Sequence, residues 1–298
     1  MKNLTAFFLL LSFSSGLFSQ NAGKKIVDEL ADLVDELTGI EIKFQTATFK
    51  STRIMNGHSV ERMPARQLDF RISHRFGKIN SGAYNFFGLD QANMHLGLEY
   101  GITDWLMIGV GRGNYEKTFD GFTKFTVVRQ SVGAKSFPLS LSLLSTAALR
   151  TVKPVNPSET ISFASRMSYT GQILVARKIN QYVSVQLMPS YVRRELPETG
   201  PHNLWALGAG GRVKLAKRVS LNAEYYYQFN PEPYMYQDVY NPLSIGFDIE
   251  TGGHVFQLIF TNSTAMIEKG FIGETTGSWG KGDIRFGFNI SRVFSFKK

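Results

Sequence analysis

Residues 66–77, RQLDFRISHRFG, place Leu68, Phe70, Ile72 and Phe76 on one parity and Asp69, Arg71, Ser73 and Arg75 on the other. Successive side chains of a strand point to opposite faces, so this stretch reads as a strand with one apolar and one charged face. The same two-residue period returns in NMHLGLEYG (93–101), RVSLNAEYYYQF (218–229), LSIGFDIE (243–250) and DIRFGFNI (283–290). Three stretches are less regular. WLMIGVGR (105–112) is apolar on both parities, with glycine relieving one; SLSLLSTAALR (140–150) changes phase near Leu144; Arg292 interrupts the apolar parity of the last strand. Bulges are expected there.

The links sort by length. Tight ones are expected at 101–104, 131–137, 179–181, 216–218 and 251–253, and longer ones between them at 77–92, 114–119, 151–160, 195–202, 230–242 and 264–282. A transmembrane barrel has this asymmetry, with short periplasmic turns and long extracellular loops. A soluble, lipocalin-like barrel with its apolar faces inside is the competing reading, and it gives no reason for loops to sort by end. Twelve strands fit between residues 66 and 296, an even number that returns both termini to one side. The β-like stretch ATFKSTRIM (47–55) is either a periplasmic hairpin or part of a fourteen-strand count. Tyr100, Trp105 and Tyr182 flank tight turns, where an interfacial aromatic girdle belongs. The fold class is therefore all-β, an antiparallel transmembrane β-barrel of about twelve strands. Its polar parity makes Asp69, Arg71, Arg75, Glu99, Arg112, Glu224, Asp248 and Arg285 the candidates for lining a lumen.

Before the strands, residues 1–19 have the layout of a cleaved secretory signal: Lys2, an apolar run from Leu4 to about Phe18, then Ser19. Residues 24–38, KKIVDELADLVDELT, follow a helical period. Ile26, Val27, Leu30, Leu33, Val34 and Leu37 share one face, and Gly39 ends the helix. Its acids Asp28, Glu29, Asp32, Asp35 and Glu36 make it either a segment packed on the barrel mouth or an acidic plug or docking helix. The expected organisation is signal 1–19, periplasmic acidic amphipathic helix 20–44 and barrel 45–298.

Composition narrows the classes. The chain has 298 residues, a formal charge of +9 and no cysteine. Without cysteine, a disulfide-stapled domain, a thiolate zinc site and lipid attachment through an N-terminal cysteine are all excluded. Acids outnumber lysines in 21–44, so the residues after 44 are more basic than the chain as a whole. Those cations are scattered among strands of an exported chain rather than gathered in one patch, which argues against nucleic acid as a partner.

TFKSTRIMNGHSVE (48–61), LDFRISHRFGKINSG (68–82), YNFFGLDQANMHLGLEYGITDWLMIGVGR (84–112) and YEKTFDGFTKF (115–125) resemble a Bacteroidota-type family of outer-membrane β-barrels of unknown function. The resemblance is specific over 46–150 and a matter of pattern beyond. It implies an outer-membrane location and a single barrel, and carries over no catalytic residue, cofactor or substrate.

No chemistry-bearing motif emerges from the residues either. His58, His74, His95, His202 and His254 have no metal-ligand spacing, and Ser73 and His74 point to opposite faces. GVGRGN (109–114) lacks the spacing of a phosphate loop and a helix after it. The reading is a non-enzymatic barrel without cofactor or metal, its partners being outer-membrane lipid and a small hydrophilic solute. Passage of that solute, passive or gated, is the leading function. A closed barrel that docks a periplasmic or envelope protein is the alternative. Phe86 and Phe87, in a long loop, are candidates for a constriction or a contact.

Overall fold

The computed structural model describes residues 42–133, 136–154, 161–195, 202–229, 231 and 238–296. Twelve antiparallel strands run in chain order: β1 (Gln67–Lys78), β2 (Ala92–Gly101), β3 (Leu106–Gly113), β4 (Phe119–Val128), β5 (Ser140–Leu149), β6 (Met167–Lys178), β7 (Val183–Arg194), β8 (Asn203–Lys214), β9 (Val219–Gln228), β10 (Leu243–Thr251), β11 (His254–Thr261) and β12 (Arg285–Ser295). Each pairs with the next, and β12 closes on β1, with Ser295 opposite Gln67 and Arg285 opposite Lys78. Closure leaves the wall no unpaired edge, the condition for strands to cross a bilayer. No described helix is long and apolar enough to cross a membrane.

The faces are inverted relative to a soluble barrel. Along β1, Asp69, Arg71, Ser73 and Arg75 are buried inside, and along β7 so are Ser184, Gln186, Met188 and Ser190. The large apolar side chains of the other parity stand outside, Val110 62% and Leu187 52% exposed. Buried polar positions alternating with exposed apolar ones are the signature of a wall solvated by lipid. Aromatic pairs mark both ends: Trp105 with Phe125 at 4.9 Å near the tight turns, and Tyr191 with Trp205 at 4.6 Å near the long loops.

Two local expectations change. β5 alternates cleanly, with Ser142, Leu144, Thr146 and Ala148 inward. The apparent phase change at Leu144 is an apolar residue facing the interior; the irregularity lies in the β4–β5 pairing, between Thr126 and Val128. Loop length also sorts less strictly than expected, because the link 129–139 at the tight-turn end is longer than 114–118 at the other. The former includes Ser131–Val132, which pairs with Lys43–Phe44 in a separate two-stranded sheet.

Residues 47–64 are part of neither the wall nor a periplasmic hairpin. They run inside the barrel as a hairpin, in which Ile54 N–H donates to Gly57 O at 2.8 Å and Ser59 N–H to Thr52 O at 2.9 Å. The count is therefore twelve, and the extra β-like stretch fills the interior. It enters from the tight-turn end, where Arg66 N–H bonds Gly101 O. From the opposite end the β11–β12 loop, 262–284, also folds inward. Its short helix α1 (Glu268–Gly273) is buried throughout.

Candidate functional site: the plugged interior

The hairpin meets a wall divided into two sectors. On the apolar one, Leu144, Leu174, Met188, Val192, Leu204 and Ala206 of β5–β8 share a buried cluster with Phe49, Ile54 and Val60 of the hairpin and Phe271 and Ile272 of α1. Two glycines allow the approach: a Cβ on Gly210 would lie 2.5 Å from Ile54 Cδ1, and one on Gly57 would lie 2.1 Å from the Tyr226 hydroxyl. Each fully buried aliphatic side chain here contributes about 1.5–3 kcal/mol.

The other sector is charged. Glu224 on β9 accepts the backbone N–H groups of Met55 (3.2 Å), Asn56 (2.7 Å) and Gly57 (3.0 Å) at the hairpin tip. Arg75 on β1 donates to Asn56 Oδ1 at 2.7 Å, and Asn56 Nδ2 donates to Ser244 Oγ at 2.9 Å. Arg71 bonds Asp69 at 2.8 Å and Thr52 Oγ1 at 2.7 Å. Arg53 of the hairpin lies between two carboxylates, Glu99 on β2 at 3.3 Å and Glu268 on α1 at 3.2 Å, and so ties the two inserted segments together. Lys124 of β4, wholly buried, donates to Ser59 O at 3.0 Å and Glu61 O at 2.7 Å. An unpaired charge at this depth would cost several kcal/mol, so these charges are held by each other and by the hairpin.

Of the eight candidate lumen residues, Asp69, Arg71, Arg75, Glu99, Glu224, Asp248 and Arg285 are buried inside. Asp248 accepts from Gln257 at 2.8 Å, and Arg285 donates to Asn262 O at 3.1 Å under the inward loop. Arg112 is the correction. The inward parity of β3 belongs to Gly109, Gly111 and Gly113, so Arg112 points outward and lies 4.6 Å from the centre of the Phe119 ring. Glycine gives no polarity to read, and the charged residue drew the inward assignment to the wrong parity. Phe86 and Phe87 sit exposed in the β1–β2 loop with φ of 46° and 52°, outside the interior. The acidic positions Asp28, Glu29, Asp32, Asp35 and Glu36 lie outside the described residues.

Arg53, Asn56, Lys124, Gln186, Gln257 and Asn289 also belong to the site and were not among the sequence candidates. The β4 parity of Lys124 was readable in principle, but Phe122 shares it and Thr123 sits on the outer parity. The hairpin residues have no periodicity to betray them.

The inward loop is fixed by its own charges. Lys269 bonds Glu116 of the β3–β4 link, and Glu274 at 3.1 Å. Arg194 donates to Gly273 O at 3.1 Å. Burial pushes the Glu274 and Glu268 carboxyls above their ordinary range, against the pull of Lys269 on the first and Arg53 on the second. Between loop and hairpin, the gap lined by Arg53, Asn56, Arg71, Arg75, Glu99 and Asn289 measures about 10 Å³, room for roughly one water. No cluster of three or more His, Asp or Glu side chains suited to a metal ion occurs among the described residues.

A closed wall with an apolar outside and an inside divided between a charged and an apolar sector, filled by two segments of its own chain, defines a membrane-spanning β-barrel shut from within. The chain belongs to the membrane-bound β-barrel domain family DUF5777, which matches residues 49–294, and with them all but the first two residues of the hairpin. No curated protein matches it. Among solved structures it is similar to the NanC porin, at 8% identity and a TM-score of 0.47, over 78% of this chain and 100% of that one. It is also similar to an outer-membrane channel from Pseudomonas putida F1, at 11% identity and a TM-score of 0.45, over 79% of this chain and 98% of that one. For the KdgM porin the figures are 10%, 0.41, 78% and 99%.

Proposed function

We propose that this protein is an outer-membrane channel, shut at rest, that passes small hydrophilic solutes when the 47–64 hairpin shifts. One observation carries the reading. Wall side chains alone can fill a barrel of about eight strands, whereas twelve strands enclose more space than they fill. Here the space is closed by two inserted segments, one from each end. On the charged sector the hairpin is held by hydrogen bonds and ion pairs, which water can replace on both sides when it moves. The lumen charges that remain, Arg71, Arg75, Glu99 and Glu224 among them, would then set the field along the path. An outer membrane suits such a wall because closed barrels of alternating polarity are its characteristic spanning fold.

The apolar sector favours a second reading. Phe49, Ile54 and Val60 anchor the hairpin by burial, as they would in a permanently closed barrel that serves as a docking component. Single-channel recording of the full chain beside Glu224→Gln separates the two. Brief openings in the parent, lengthened in the variant, support the channel; silence from both, with the barrel folded, leaves the closed component.

A further inference from the structure

The polar side chains of the wall contact the hairpin in two ways. From β1, β2 and β10, Arg71, Arg75, Glu99 and Ser244 contact hairpin side chains. Other strands, among them β4, β7, β9, β11 and β12, instead contact its backbone. Glu224 accepts three successive N–H groups at the tip. Gln257 of β11 donates to Ile54 O at 3.0 Å, and Asn289 of β12 to Met55 O at 2.9 Å. Lys124 of β4 takes the carbonyls of Ser59 and Glu61. Gln186 of β7 makes a two-way clamp: its Oε1 accepts the Val60 N–H at 2.8 Å, while its Nε2 donates to His58 O at 2.7 Å. A side-chain amide presents the donor and acceptor of a peptide group, so this clamp imitates one rung of a β-ladder.

Such contacts read a peptide main chain whatever side chains it carries, as strand-addition sites do. Beside them, the apolar sector of β5–β8 accepts side chains, as it accepts Ile54 over Gly210. When the hairpin leaves, these buried donors and acceptors lose their partners at a cost, and a solute that restores them is favoured over one that only fits. We infer that the hairpin occupies a peptide-binding path, and that short peptides are the solute class of this barrel. The inference rests on the channel reading above.

The test uses full chains in which the hairpin is loosened while the backbone-reading groups stay intact. Gly210→Val pushes on Ile54 from the wall, and Arg53→Gln removes the ion pairs from the hairpin side. Either suffices if the other folds poorly. Single-channel current is recorded in a planar bilayer while tetraalanine or maltotetraose is added. We expect tetraalanine to half-block the current at a concentration about tenfold lower than maltotetraose, as one or two net hydrogen bonds would give. Adding Gln257→Leu should shrink that preference. Steady current blocked equally by both, or better by the sugar, overturns the peptide assignment and leaves the channel standing. No current from any folded variant overturns the channel, and the peptide assignment with it.

Discussion

Asn56 N–H meets the Glu224 carboxylate at 2.7 Å, and with its neighbours Met55 and Gly57 it forms a three-donor cradle around one buried charge on the barrel wall. The tip of a segment that precedes the first strand is thereby fastened to the ninth. This contact joins what seals the interior to what would line it once unsealed.

Replacing Glu224 with glutamine keeps the shape, removes the charge and turns one acceptor into a donor facing N–H groups. We expect a loss of about 1–3 kcal/mol in barrel stability, read as a lower urea midpoint, with the hairpin more open to protease from the tight-turn side. An unchanged midpoint together with unchanged cleavage would show that the cradle holds nothing.

Gly210 separates the hairpin from the wall. A Cβ there would come within 2.5 Å of Ile54 Cδ1, but only 3.4 Å from Met188 Cε and 3.6 Å from the Ala223 carbonyl. Gly210→Val should therefore displace Ile54 while the strands stay paired. The expected result is faster proteolysis within 47–64 from a barrel that still resists detergent; loss of the folded barrel itself would contradict it.

Arg53 bridges Glu99 and Glu268, at 3.3 and 3.2 Å. Arg53→Ala takes the guanidinium from buried Glu268 and leaves Glu99 with Arg71 at 3.5 Å, a change of the class that costs about 3–5 kcal/mol. Arg53→Ala combined with Glu268→Gln should recover part of that loss. Additive losses in the double variant would mean that the two residues do not interact.

Burial pushes the Glu268 carboxyl above its ordinary value of 4.5, with Arg53 pulling it back. The folded state thus binds this proton more tightly than the unfolded chain does. Its contribution to stability is fully present below the ordinary value and is lost as pH rises through the raised one. Glu268→Gln should flatten that part of the urea-midpoint profile. A profile with the same slope in parent and variant would assign the pH dependence to other groups.

The wall was legible because its physics is local. Alternation fixes which face each side chain takes, and tight turns between long loops fix the count, so twelve strands could be read from 66 onward. At Leu144 and Arg112 alternation is a weaker guide. An apolar residue facing inward looks like a phase change, and a glycine parity leaves a neighbouring charge as the only polar signal. The plug was illegible for a different reason. Residues 47–64 form only a narrow hairpin of their own, and their partners, among them Arg75, Lys124, Gln186, Glu224, Gln257 and Asn289, come from strands across the whole chain. Nothing in STRIMNGHSV reveals that partners so distant in sequence surround it. The inward fold of 262–284 is hidden likewise, since a long loop reads the same whether it points out or in.

The absence of native cysteine permits one direct measurement. Asn56 Nδ2 and Ser244 Oγ lie 2.9 Å apart, so an Asn56→Cys/Ser244→Cys pair, joined directly or through a short reducible bis-methanethiosulfonate linker, would tether the hairpin tip to β10. Single-channel current is compared in the oxidised and reduced states of the same folded preparation. Silence is expected when the tether is closed, and openings once a reductant is added. Equal current in both states, or silence in both, would contradict the claim that this hairpin gates the barrel.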